Sequence, residues 1–525
     1  MFKTIKTKSN KKIIIIKKYF LFEMGCSSNG IKTISKKSEY SYLPQNIAYI
    51  WAEYVSDCQK DGELVIEMNT KQLQYNGKET TFDYIIRGKY IEPGFPLYII
   101  LHNGGIGQSG FNNGEFLKAK FRYVSSVKFG ILVGVKGIND LSNMHYTNEG
   151  IILLDRIIKN FISFHQVNPN KVYLIGIGMG GDAVYQIVNL LPSKFAAAVV
   201  VSGHSYKKKL KNLINVPILI QVGEKDFLYD RNKDAVFTYK RIIDFSEYFN
   251  QKMISLNEKK DIQENFLVTN NDIKEEERKV ECYIHIGKGL NIIDYDKNLK
   301  GISIIENPIN WLTQRGNSII IEQNVNSISF LNKHVRNPFP KNLYWDLTLI
   351  LKIPEGKGIK NQIQEIGKAN FTKEGNFTKN GTKEFFYQNN MTSTANHDLL
   401  NRNKFKYNQY FYWLEIGTVN ISEIGQLEII VRLDSKNNSI YIDSPIKYLR
   451  ILLNNRMVEI TKEVKVFYKG KSKNILLTHN FQTERRTLLE RGDYNYIFSA
   501  CIIFESKDLE HFKIGQYDEQ SERIG

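Results

Sequence analysis

The amino-acid sequence predicts an α/β domain, with a mostly parallel sheet covered by helices on both faces, followed by a smaller β-sandwich-like domain. Between Leu97 and Ile286, short apolar runs alternate with helix-compatible segments, which is typical of strand–helix–strand units. From Asn337 onward, short segments alternate apolar and polar residues and are separated by turn residues, which is typical of a sandwich. The chain has 525 residues, which is enough for two or more domains.

The same patterns divide the chain into regions. We expect a basic, disordered arm over residues 1–40, the α/β domain over 41–335, the β-rich domain over 336–510 and a tail over 511–525. A polar stretch rich in Asn, Lys and Gly, residues 354–408, interrupts the β-rich domain, and we interpret it as a mobile loop.

The charge and the cysteines exclude several classes of function. The formal net charge of +17 is spread along the chain, and no basic helix is interleaved with aromatic residues, so we expect no nucleic-acid partner. The four cysteines lie far apart without a C-x-x-C motif, which argues against a disulfide framework or a zinc site. We therefore expect no metal and no cofactor, and a reducing, cytoplasmic location.

The N-terminal segment suggests a membrane association that depends on the start codon. No apolar stretch approaches the length of a membrane span, and we expect no signal peptide. If translation began at Met24, Gly25 would be a site for myristoylation and Cys26 for palmitoylation. In the chain that starts at Met1, Gly25 is internal and the segment is a basic arm.

The helices and strands of the α/β domain can be assigned from the sequence pattern. We expect an amphipathic helix over Ile47–Cys58, a β region from Gly62, and a hairpin over Lys71–Gly88 that turns at Asn76-Gly77. An amphipathic helix over Asn148–Gln166 and an apolar, helix-compatible segment over Ala183–Leu191 follow. The expected core strands are Leu97–Leu101, Phe129–Gly134, Val172–Ile175, Ala196–Val201, Pro217–Val222 and, last, Glu281–Ile286.

In the β-rich domain the pattern predicts only strands. These are Trp345–Ile353, Gln426–Arg432, Ser439–Ile442, Tyr448–Leu453, Lys465–Tyr468 and Tyr496–Phe504.

A glycine run lies between one predicted strand and the next helix, and it allows three interpretations. Gly176-Ile-Gly-Met-Gly180 matches the G-x-S-x-G nucleophile elbow, with Gly178 at the position of the serine. Gly176, Gly178 and Gly181 also have the spacing of a dinucleotide fingerprint, although the next strand ends without the acidic residue that this motif requires. The third interpretation is that the glycines only permit a close approach of strand and helix.

A second glycine-rich loop, His102-Asn-Gly-Gly-Ile-Gly107, follows the strand Leu97–Leu101. In α/β-hydrolases, a His-Gly-Gly-Gly-type loop at this place supplies a backbone N–H to the oxyanion hole.

These motifs together resemble a two-domain α/β-hydrolase of the dienelactone-hydrolase and prolyl-oligopeptidase-like group of esterases and peptidases. The resemblance extends from about Ile47 to Ile503. The other segments that carry it are Gly180–Gln186, Phe195–Ala198, Gly203-His204, Asp226 with Tyr229–Lys233, Gly287–Gly289, Arg336–Pro340 and Phe411–Glu415.

The resemblance implies a Ser–Asp–His triad, of which two members are absent. The acid falls on Asp226, the nucleophile on Gly178 and the histidine on Leu290. It further implies that His102, Asn103, Gly104, Met179 and His204 line the oxyanion site or pocket. Glycine cannot attack a carbonyl and leucine cannot transfer a proton. In a serine protease such losses cost on the order of 10⁶-fold in turnover.

The leading hypothesis is therefore an inactive α/β-hydrolase that acts as a scaffold or binds an unidentified small molecule or peptide. One alternative is an active carboxylesterase or peptidase whose catalytic residues are relocated. A further alternative is a membrane-tethered protein whose β-rich domain binds a partner. For relocated residues the sequence offers His285, Ser109, Ser202 and Ser205, and none of the serines lies on an elbow. The resemblance implies that His145, like His204, is a pocket residue.

Overall fold

A computed structural model describes residues 40–206, 210–258, 280–303, 322–347, 410–416, 428–444, 447–506 and 511–516. The chain divides into two compact units, Met1–Ala48 and Tyr49–Gly525. The first unit is described from Tyr40, where a turn leads into a helix. The candidate lipidation residues Gly25 and Cys26 and the predicted loop 354–408 lie outside the described residues.

The first part of the chain builds one large mixed sheet, the large-sheet region. Its ten strands are β1 Gln72–Tyr75, β2 Lys78–Arg87, β3 Phe95–Leu101, β4 Gly130–Val135, β5 Val167–Ile177, β6 Ala197–Val201, β7 Ile218–Gly223, β8 Val280–His285, β9 Lys300–Ser303 and β10 Glu322–Asn324. Their order is β1-β2-β4-β3-β5-β6-β7-β8-β9-β10. The six strands from β4 to β8 in this order pair in parallel, and the outer strands pair antiparallel.

Helices cover both faces of this sheet. The helices of this part of the chain are α1 Gln45–Lys60, α2 Gly62–Thr70, α3 Ser109–Ala119, α4 Asn148–Phe164, α5 Met179–Leu190, α6 Arg231–Glu258 and α7 Ser327–Asn332. One face packs Tyr98 and Ile100 of β3 in a core with Ala119 of α3 and Phe330 of α7. Along the sheet, the chain moves in one direction from β3 to β4 and in the opposite direction to β5, β6 and β8. Since such crossovers are right-handed, the helices α4, α5 and α6 lie on the other face. The predicted α/β fold class is confirmed.

The rest of the chain forms a sheet-rich region. Its strands are β11 Asn342–Asp346, β12 Tyr410–Phe411, β13 Leu414–Glu415, β14 Glu428–Asp434, β15 Ser439–Asp443, β16 Tyr448–Leu453, β17 Val464–Tyr468, β18 Lys471–Ile475, β19 Ala500–Ser506 and β20 Phe512–Gln516. They form two five-stranded sheets, ordered β11-β14-β15-β17-β18 and β12-β13-β16-β19-β20. Both sheets contribute to one apolar core, which includes Trp345, Val466, Ile451 and Phe504.

A buried arginine joins the sheet-rich region to the large-sheet region. Arg336 donates to Oδ2 of Asp493 at 2.6 Å, to Oδ1 of Asn170 at 2.8 Å and to the main-chain oxygen of Ser193 at 2.7 Å. Arg336 and Asp493 are both buried. A buried charge is stable only when its partners are in place, so this network fixes the two regions to each other.

The structure confirms one local prediction and corrects two. Strands β1 and β2 form the predicted hairpin, with Asn76 and Gly77 both at positive φ, as a type I′ turn requires. The expected β region from Gly62 is wrong: it is helix α2, which Asp61 caps by accepting hydrogen bonds from the next turn. The strand β8 is not the last of its sheet, because β9 and β10 extend the edge.

The sheet-rich region also contains a helix that the strand pattern did not predict, α8, Phe481–Arg491. Asn480 caps its N-terminus, and Gly492, at positive φ, ends it.

Candidate functional site

The turn between β5 and α5 has the geometry of a nucleophile elbow. Gly178 alone separates the strand from the helix, with φ 55° and ψ −118°. Its N–H donates to the carbonyl oxygen of Val201 at 2.9 Å, which ties the turn to β6. Added Cβ atoms at Gly176 and Gly180 would overlap with the main-chain oxygens of Gly180 and Leu101, respectively. These two glycines are therefore required by close packing.

Asn103 occupies the space that a nucleophile side chain would need. A Cβ atom added to Gly178 would overlap with Oδ1 of Asn103. The same oxygen accepts a hydrogen bond from the main-chain N–H of Met179 at 3.2 Å. The N–H of the residue after the nucleophile is an oxyanion-hole donor in this kind of elbow. The amide of Asn103 thus takes both the volume of the absent side chain and the donor that would serve a substrate.

His102 and His145 fix the main chain of the loop after β3. Nδ1 of His102 lies 2.6 Å from the carbonyl oxygen of Asn103, and the N–H of Gly137 donates to Nε2 of His102 at 3.1 Å. Because Nε2 accepts this N–H, Nδ1 carries the proton and donates it to Asn103, and burial lowers the pKa of the ring. His145 Nε2 lies 3.1 Å from the carbonyl oxygen of His102. Gly104 is at φ 140°, where a Cβ would overlap with Asn112.

The positions of the acid and of the missing histidine lie together, with Ser202 between them. The Ser202 hydroxyl donates to the main-chain oxygen of Leu290 at 3.2 Å and lies beside the carboxyl group of Asp226. Burial raises the pKa of Asp226, and the charge of Arg231 partly opposes this effect. Oδ2 of Asp226 has no hydrogen-bond partner within the described ranges. Leu290, at the histidine position, gives this carboxyl group no imidazole to orient.

Arg231 lies behind the elbow and was not singled out from the sequence, where it appeared only inside the motif Tyr229–Lys233. Its side chain is 1% exposed, and Nη2 lies 3.9 Å from the sulfur of Met179. The guanidinium carbon lies 5.3 Å from the ring centre of Tyr229. Arg231 therefore places a buried positive charge beside the first residue of α5.

His204 belongs to a network under the elbow helix. Asp182 accepts the N–H of His204 at 2.7 Å and the hydroxyl of Tyr206 at 2.8 Å. Nδ1 of His204 accepts the N–H of Tyr206 at 2.9 Å. Burial raises the pKa of Asp182 to about 6, although these hydrogen bonds and Arg231 oppose the shift. The network holds the turn after β6 against α5.

Three of the residues considered as relocated catalytic groups, His285, Ser205 and Ser109, have other surroundings. His285 is fully buried, with Nδ1 2.9 Å from the carbonyl oxygen of Lys300 and Nε2 3.0 Å from Oε1 of Gln221, and burial lowers its pKa. Ser205 is also fully buried and donates to Asp234 at 2.9 Å. Ser109 is the first residue of α3. No group of three or more His, Cys, Asp or Glu side chains that could hold a metal occurs among the residues that the structure describes.

A family comparison supports the resemblance. Residues 140–248 match the model of the dienelactone hydrolase family, and this segment contains the elbow and the position of the acid. The large-sheet region has the α/β-hydrolase fold. The match covers about a fifth of the chain. A search of curated protein sequences found no match.

Solved structures with significant similarity include esterases. A thermostable esterase is 17% identical over 33% of this chain and 50% of its own, with a TM-score of 0.28. Esterase PE8 is 15% identical over 41% of this chain and 92% of its own, with a TM-score of 0.28. The acetyl xylan esterase from Aspergillus awamori is 13% identical over 31% of this chain and 75% of its own, with a TM-score of 0.23. The chain thus spans half the length of the thermostable esterase.

Proposed function

We propose that this α/β-hydrolase-fold protein is a catalytically inactive hydrolase that serves as a binding or scaffold protein. The observation that carries the proposal is the Asn103 amide, which fills the space beside Gly178 and accepts the N–H of Met179. An active enzyme of this fold needs that space for its nucleophile and that N–H for the substrate oxyanion.

The rest of the site supports inactivity in a second, independent way. Leu290 supplies no base, and His285 is enclosed between Gln221 and Lys300. Ser202, beside the acid position, donates its hydroxyl proton to the main-chain oxygen of Leu290, so no imidazole accepts that proton. In the alternative of a relocated triad, Ser205 donates its hydroxyl proton to Asp234 rather than to a histidine.

The same geometry describes how a ligand would enter the pocket. A ligand carbonyl that reached the N–H of Met179 would replace the amide oxygen of Asn103, so one amide-type hydrogen bond would be exchanged for a similar one. The ligand, a small molecule or a peptide, would gain affinity from other contacts in the pocket. We propose no nucleic-acid partner.

The test is ester hydrolysis. Wild-type protein should turn over p-nitrophenyl acetate and butyrate no faster than the buffer, and a serine-directed phosphonate should leave it unlabelled. Gly178→Ser with Leu290→His should turn over these esters more slowly than the same pair combined with Asn103→Ala, because the new serine must first displace the Asn103 amide. Adding Asn103→Ala should yield weak, phosphonate-sensitive turnover, since the oxyanion site alone supplies roughly 10³–10⁴-fold over water.

Two outcomes have distinct meanings. Wild-type turnover that is abolished by the phosphonate would contradict the proposal and favour an active enzyme with a relocated nucleophile. A silent triple variant with a native circular-dichroism spectrum would leave the wild type inactive but would contradict an intact oxyanion site.

A further inference from the structure

The loops that follow β7 and β8 expose a cluster of large apolar side chains. Phe227, Leu228 and Tyr229 are 68%, 55% and 45% exposed, and Ile286 is 41% exposed. Phe237, on the first turns of α6, is 48% exposed. We call these five residues the apolar rim. Soluble proteins expose single apolar residues everywhere, but three consecutive exposed ones, Phe227 to Tyr229, with further exposed apolar residues on the neighbouring elements, mark an interaction surface.

Main-chain hydrogen bonds bring the two loops together. The N–H of Glu224 donates to the carbonyl oxygen of His285 at 3.0 Å, and the N–H of Lys225 donates to that of Lys288 at 2.7 Å. The side chain of Glu224 accepts the N–H of Gly287 at 2.9 Å. The apolar rim therefore lies largely on two loops that are hydrogen-bonded to each other at the carboxyl edge of the sheet.

Exposed lysines are interleaved with the rim in the sequence. They are Lys225, Lys233, Lys240 and Lys288. Lys233, Phe237 and Lys240 fall on one side of α6, because residues three and four apart are neighbours on a helix. Asp230 is the exposed carboxylate in the first loop, and Lys233 pairs with it at 3.2 Å. The surface is thus aromatic, aliphatic and basic.

We propose that the apolar rim docks on a lipid bilayer that contains anionic phospholipids. Aromatic and aliphatic tips insert at the headgroup level, and lysines beside them bind the negative surface. A second copy of the chain is a poorer occupant, because each copy has a formal net charge of +17 and the copies repel each other. This docking does not depend on a ligand in the hydrolase pocket or on acylation of Gly25.

The test uses the full chain from Met1, in which Gly25 is internal, and phosphatidylcholine vesicles with and without phosphatidylserine. Wild-type protein should sediment with the anionic vesicles. Phe227→Ser with Leu228→Ser should weaken the partition by about tenfold for each inserted side chain, at unchanged charge. The matched control is Phe481→Ser with Leu489→Ser, since these residues are 59% and 58% exposed on α8, and it should bind as wild type does.

A reporter variant keeps the proposal testable if the double substitution harms folding. The tryptophan of Phe227→Trp should be quenched by brominated lipids, and that of Phe481→Trp should not. Equal losses in the two serine pairs, or no quenching in Phe227→Trp, would assign vesicle binding to charge elsewhere and overturn the proposal. A concentration-dependent dimer that Phe227→Ser with Leu228→Ser abolishes would make a second copy the occupant and would overturn it as well.

Discussion

Replacing Gly178 with alanine should destabilise the protein through two effects that can be separated. The first is backbone strain, because φ 55° with ψ −118° is a conformation that residues with a Cβ adopt at a cost of about 1–3 kcal/mol. The second is displacement of the Asn103 amide, which breaks its hydrogen bond to Met179 and costs about 0.5–1.5 kcal/mol. We expect Gly178→Ala to lower the free energy of unfolding by about 2–4 kcal/mol.

A double-mutant cycle isolates the second effect. Asn103→Ala alone removes the hydrogen bond to Met179 and should cost about 1 kcal/mol. In the double variant this bond is lost only once. The combined cost should therefore fall short of the sum of the single costs by about 1 kcal/mol, which is above the usual error of additivity.

The assay is urea denaturation followed by circular dichroism, with the slope m compared between variants. The control is Gly114→Ala, because this glycine lies in α3 and no atom lies within 4 Å of its added Cβ. It should leave stability unchanged or raise it by about 0.5–1 kcal/mol. A Gly178→Ala variant as stable as wild type, or strictly additive single costs, would refute the steric account of Asn103.

Two further predictions concern buried charges. In urea denaturation, Arg336→Met should lower the free energy of unfolding by about 3–5 kcal/mol, because it leaves Asp493 buried without its partner. The control Lys462→Met breaks an exposed ion pair with Glu459 and should cost less than about 1 kcal/mol. Equal costs for the two variants would contradict the argument. Burial raises the pKa of Asp182 from 3.8 to about 6, so the folded protein holds a proton that the unfolded chain releases, and this residue's contribution to stability falls as the pH rises from about 4 to about 6. Between pH 4 and pH 6, Asp182→Asn should remove a fall of about 2 kcal/mol from the measured pH dependence of the unfolding free energy, and an unchanged dependence would contradict the shift.

The sequence predicted the parallel core because its strands carry strong local signals. β3, β4 and β7 are apolar at nearly every position and buried throughout, as strands covered on both faces are. The helix that begins at Gly62 was missed although its signal was present. Asp61 is a typical N-cap residue, and it starts a helix at the place where the sequence analysis expects a β region.

The filled nucleophile site could not be predicted from the sequence. The motifs alone show that the serine and the histidine are replaced. The contact between Asn103 and Gly178, however, joins residues 75 positions apart and depends on a side-chain rotamer that no local sequence pattern determines. The position of the Arg231 charge beside Met179 could not be predicted either, since it depends on how α6 packs against the elbow. The domain ranges, the acylation of Gly25 and Cys26, and the roles of His102 and His204 in a pocket stay predictions.

The overlap that added Cβ atoms would make at Gly176 and Gly180 has a practical consequence for inferring activity from motifs. Both glycines satisfy a packing constraint between β5, α5 and the end of β3, and that constraint persists whether or not any chemistry takes place between them. A search that rewards the outer glycines of the motif therefore detects an architecture. Only the middle residue, with its immediate neighbours in space, distinguishes a working hydrolase from a chain that retains the elbow without a nucleophile.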